Sequence, residues 1–139
     1  LVSVSTLGIN WRRDRRSLLG ELHLLFISEE ASRNRQLLHD VWRKYGADWM
    51  EHVQQAELGK INHALSELDH LAFHAVRRYV SVSDAAILWA RAIYDCREHG
   101  APSIAKRRNE ESPGIWIFLD EFCRRVDDPR IRTEAPTRS

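Results

Sequence analysis

Apolar positions recur along this chain at spacings of three and four, and no stretch of useful length alternates with a period of two, so the pattern predicts helices and no sheet. The clearest segment runs from Ile61 to Val80. At about 100° per residue, Ile61, Leu65, Leu68, Ala72, Ala75, Val76 and Tyr79 fall on one side of a helix, while His63, Glu67, His70 and His74 form a narrow polar stripe opposite. The first face must be covered by other elements, and the second is expected to meet water.

The remaining segments follow the same logic. A first helix is predicted from near Asn10, with Trp11, Leu18, Leu22 and Leu25 inward, Leu19 and Phe26 beside them, and Arg15 snorkelling. Leu37, Leu38, Val41 and Tyr45 mark a second helix that Gly46 ends. Asp48 and Glu51 have capping-box spacing, which predicts a short helix with Trp49, Val53 and Ala56 inward and Gly59 separating it from the long helix. Ser81 to Asp84 should cap a helix from about Asp84 to His99. That helix is apolar almost all round, which predicts a place in the middle of the bundle, and Gly100 and Pro102 close it. Lys106 to Glu111 is a charged stretch, after which Ser112 and Pro113 start a last helix holding Ile115, Trp116, Leu119, Phe122, Cys123 and Val126. The expected architecture is all-α, a single compact bundle of five to six helices. It spans residues 10–126, between an apolar stub (1–9) and a tail expected to be disordered (127–139).

A chain of 139 residues is of single-domain size and can bury a core without disulfide or metal. No run approaches the roughly 18 apolar residues of a spanning helix, so the chain as given is not expected to cross a membrane, and a cytoplasmic location is expected. Cys96 and Cys123 both lie on apolar stripes and read as buried thiols of a reducing compartment. Net charge is only +1, but 18 arginines stand against three lysines, and Arg12, Arg13, Arg15 and Arg16 cluster near the start. Such a cluster suits phosphate, anionic lipid or an acidic partner, or simply a solvated helix face.

From about Arg12 to Val126 the arrangement resembles an uncharacterised bacterial helical family, the domain of unknown function 4760. Two stretches carry the likeness: "LSELDHLAFHAVRRYVSVSD" (Leu65 to Asp84), with Asp69 and Ala72 at the family's carboxylate and small-residue positions, and "GIWIFLDEF" (Gly114 to Phe122), with Trp89 between them. Asp69 stands where family members more often carry Glu, Ser66 near an expected Asn, and His74 at a position often small. The resemblance implies a helical domain, often behind an N-terminal membrane anchor, and no known reaction. The stub Leu1 to Ile9, followed by Trp11 and four arginines, would suit the cytoplasmic mouth of such an anchor.

Three constellations bear chemistry. His63, Glu67, His70 and His74 have Glu-x-x-His and His-x-x-x-His spacings that can present metal ligands on one face. A carboxylate-bridged pair of metals would need a second such helix, and none is evident. Arg33 and His39 match the loose Arg-x(4–6)-His spacing of the helical HEPN ribonucleases, where the resemblance implies RNA cleavage at a site made across a homodimer. Cys96 and His99 form a Cys-x-x-His pair without a second ligand pair. No cofactor is implied, and no complete catalytic set exists. The favoured reading is therefore a non-enzymatic interaction or regulatory module, its partner another protein or a second copy. Nucleic acid is a further possibility, and a membrane enters only with an anchor outside this sequence. The arginine cluster, and Trp42 or Trp116 where they are exposed and not packed in the core, are the candidate contacts.

Overall fold

A computed structural model describes residues 4–127, with side chains from 13 onward. Its elements are α1 (Val4–Phe26), α2 (Glu29–Tyr45), a 3₁₀ segment (Gly46–Glu51), α3 (Gln55–Val76), α4 (Val82–His99), α5 (Ala101–Glu110) and α6 (Ile117–Arg125). There is no strand among the described residues, so the all-α expectation holds. No described helix is long and apolar enough to cross a membrane. The first helix reaches back to Val4, through most of the expected stub, and all of the expected tail beyond Asp127 lies outside the described residues.

The hub of the bundle is α3, which packs against α1, α2, α4 and α6. Its apolar face is buried as its spacing predicts from Ile61 through Val76. Tyr79 lies past the helix end and is 51% exposed. The expected central place of α4 holds in part: it packs against α2, α3, α5 and α6 and buries Ala85, Trp89, Ala90, Ile93 and Cys96, but it is not covered all round, since Ile87 is 82% exposed.

Local signals explain most boundaries. Ser28 and Ser81 cap α2 and α4 by accepting the N–H groups of Ala31 and Asp84. Gly46 takes φ 67° at the end of α2, a left-handed conformation glycine adopts without steric cost. Three boundaries differ from expectation. The capping interaction falls at Gln54, whose N–H donates to Glu57 Oε1 at 3.1 Å, rather than at Asp48, so Gly59 lies inside α3 and Ala56 is exposed. The charged stretch Lys106 to Glu111 belongs almost wholly to α5, with Pro102 in the first turn and Arg107 paired to Glu111 at 2.8 Å. Ser112 and Pro113 do not open the last helix. A turn intervenes, and Trp116, left-handed at φ 54°, precedes α6.

Candidate functional site

Titratable side chains gather at the seam of α2 and α4. His39 Nδ1 and His99 Nδ1 are 2.8 Å apart, so one ring donates and the other accepts. Trp42 stacks on His99 with centroids 4.0 Å apart, and Trp49, fully buried, donates its indole N–H to the His99 carbonyl at 2.8 Å. Burial and the neighbouring His99 hold the His39 pKa below the ordinary imidazole value, against the pull of Asp95. Cys96 Sγ lies 3.8 Å from His39 Nε2, and burial pushes this thiol up to about 12. A thiol held so high stays protonated near neutral pH, so Cys96 and His39 do not form a nucleophile pair.

The structure separates the two residues expected to act together in RNA cleavage. Arg33 and His39 are six positions apart, about 240° around a helix. Arg33 is exposed and pairs with Glu29 at 2.6 Å, whereas His39 is half-buried in the seam. The arginine one turn from His39 is Arg35, which donates to the Phe26 carbonyl at 2.7 Å and lies over the Phe26 ring, closing the end of α1. Sequence offered no signal for the His39–His99 contact, because its partners stand sixty positions apart.

The histidine stripe of α3 lies on the solvent side as predicted. His63 Nε2 pairs with Glu67 Oε1 at 2.9 Å, His74 Nδ1 donates to the His70 carbonyl at 2.8 Å, and the His70 and His74 rings meet edge to face. Burial, and then His74, lower the His70 pKa. Among the described residues no three His, Cys, Asp or Glu side chains are grouped to hold a metal ion.

The segments Leu65 to Asp84 and Gly114 to Phe122 touch one another. Asp69 Oδ1 accepts the backbone N–H groups of Phe118 (3.0 Å) and Leu119 (3.3 Å), capping α6 from across the bundle, and Trp116 donates its indole N–H to Ser66 Oγ at 3.0 Å. Burial raises the Asp69 pKa despite these two donors. Asp120 receives Arg97 Nε at 2.7 Å and a nitrogen of Arg108 at 2.9 Å. Burial works against its charge, but the two guanidinium groups prevail and lower its pKa. A cleft of about 570 Å³ beside these arginines is thus lined by charges already matched inside the chain. Trp116 is buried and Trp42 is half-buried against His99, so neither is the exposed aromatic anchor that sequence allowed.

Besides the isolated Ile87 and Tyr79, one group of large apolar side chains is left uncovered among the described residues. Leu24, Leu25 and Ile27, at the end of α1, are 67%, 62% and 53% exposed. The inward face of α1 is Leu18, Leu19, Leu22 and Phe26, so Leu25, expected inward, points out. Beside it opens a cleft of about 340 Å³ lined by Phe26, Leu68 and Leu71, with Arg35, Glu67 and His70 at its polar positions. Along the other half of α1, Arg13 and Arg16 are exposed and Arg15 is half-buried. The side chain of Arg12 lies outside the described residues. The chain matches no protein family, no curated protein and no solved structure.

Proposed function

We propose that this chain is a helical interaction module that works by protein contact, through self-association or a protein partner, and not by catalysis. The observation that carries this reading is the run Leu24, Leu25 and Ile27, three large aliphatic side chains exposed together beside an apolar cleft. Single exposed aliphatics are ordinary, but a contiguous group marks a surface that is covered when the protein works. The histidine seam serves packing on this reading, since Trp42, Trp49 and Cys96 enclose it and its two rings satisfy each other. Ser66, Asp69 and Trp116 are likewise engaged in joining α3 to α6, which leaves them a structural role on this reading.

A photoreactive residue placed at Leu25 in the intact chain tests the reading, with the same residue at exposed Asn109 of α5 as control. Adducts to polypeptide are expected from position 25 and not from 109. Equal labelling, or none, would sink the idea.

A further inference from the structure

The outward face of α1 is ordered. Arg13, Ser17, Gly20 and Leu24 follow at spacings of four, three and four, so they lie along one line of the helix, and all four are exposed. Ile27, three residues on, continues the line into the following turn and is exposed as well. Gly20 is the informative member. Glycine in mid-helix is unfavourable relative to alanine, yet a Cβ built there would meet nothing within 4 Å among the described residues, so no packing among them calls for it. A glycine on an exposed helix line permits close approach by another helix, and its small neighbour Ser17 widens the groove.

We infer that the occupant is a second copy of this chain, its α1 lying antiparallel across the first with the twofold axis at Gly20; this rests on the interaction-module reading above. The charge distribution selects that partner and that direction. Toward one end of the line Arg13, Arg15 and Arg16 outnumber Asp14, Glu21 lies beside Gly20, and the acidic residues Glu29 and Glu30 follow at the other end, Glu29 already sharing Arg33. With the axis at Gly20, Arg13 of each copy lies opposite Ile27 of the other, about 10 Å from the crossing at 1.5 Å per residue. Glu29 and Glu30 open α2 two and three residues after Ile27, at the end of α1 that the other copy's arginines approach. A parallel pair would instead stack arginine on arginine. The same geometry sets Leu24 of each copy over Ser17 of the other, a large side chain on a small one, and repeats the contact through the twofold as an isologous interface requires. An anionic lipid surface fits less well, because Glu29 and Glu30 flank the apolar end.

Sedimentation velocity of the full chain, with disulfide trapping, tests this. The expected result is a dimer at about 50 µM whose dissociation constant rises at least about tenfold in Gly20→Leu and in Leu24→Glu. Helicity should be retained in both, since each position is exposed. Direction is read by mixing Ser17→Cys chains with Leu24→Cys chains, Cys96 and Cys123 being buried. A mixed disulfide should form faster than either homodisulfide. A monomer, a dimer indifferent to both substitutions, or preferential homodisulfides would each overturn the inference. Adducts from position 25 to a different polypeptide, with a monomeric chain, would overturn it while the module reading stands. A monomer without adducts removes both.

Discussion

Cys96 is fully buried on α4, its sulfur 3.8 Å from His39 Nε2, with its pKa pushed up to about 12. Cys123 on α6 is also buried. A thiol reagent at pH 7 should therefore leave both unmodified in the native protein over minutes and react with both after denaturation. Rapid labelling of Cys96 in the folded state would contradict its burial. Asp69 is the other residue whose environment decides its behaviour. Its carboxylate takes two backbone N–H groups of α6, yet burial raises its pKa, so the charge itself is held at a cost. Asp69→Asn keeps an oxygen acceptor and should change unfolding free energy by less than about 0.5 kcal/mol, whereas Asp69→Ala removes a cap and should cost about 1–2 kcal/mol. Urea unfolding of the two variants checks this, and equal losses would show that charge, not acceptance, matters.

Between elements, the sharpest constraint is Gly100, where α4 passes into α5. A Cβ there would lie 2.7 Å from the Cys96 carbonyl oxygen of α4 and 2.9 Å from Leu65 Cδ2 of α3, so the end of α4 and the Leu65 side chain together leave no room for it. Gly100→Ala should destabilise the bundle by about 1–3 kcal/mol, read as a lower urea midpoint at unchanged slope. Its φ is −83°, open to any residue, so the constraint is contact and not conformation. That distinction shows what was legible. Helix ends written in local chemistry, such as Gly46 and Ser81, were readable, as was the buried face of α3. The helix α5 was not, because its support comes from burial of Ser103 and Ile104 against other elements and from the Arg107–Glu111 pair, while its composition resembles a charged linker. All-round burial of α4 is not realised, since apolar composition states what a helix can bury and one flank, at Ile87, has no neighbour to cover it. Leu25 was drawn onto the inward stripe, and only the packing of Phe26 against Trp89 and Arg35 shows which way α1 turns.

For the whole molecule the α2–α4 seam couples stability to pH. Burial and His99 place the folded His39 pKa below its unfolded value, and burial and His74 do the same for His70. The unfolded chain then binds more protons than the native one, so stability is fully present above about pH 6.5 and falls as pH drops toward the folded values, with the half-buried His39 contributing more than the exposed His70. The groups around His39 are His99, Arg35, Arg43 and Asp95, three of which oppose its protonation. His39→Gln should flatten the dependence between pH 7.5 and 5 in part, leaving the share of His70. A melting temperature that falls as steeply in the variant would remove His39 from the account. None of this coupling was legible beforehand, since His39 and His99 meet only through the packing of two helices. Their sequence neighbours suggested instead an Arg33 partnership that the helix turns apart.

The shortness of α6 has a consequence for how the protein breathes. Nine residues are too few to sustain a helix alone, and its first turn is held by side chains from elsewhere: Asp69 on its N–H groups, Arg108 on the Ile115 and Trp116 carbonyls, and the Arg97–Asp120–Arg108 link. Trp116 keeps its left-handed backbone under the same restraint. These supports are mutually dependent, so α6 should detach as one cooperative unit before the α2–α3–α4 core opens. In native-state hydrogen exchange the amides of residues 119–125 are expected to share one opening free energy, lower than that of α3. Asp69→Ala should lower it for all of them together.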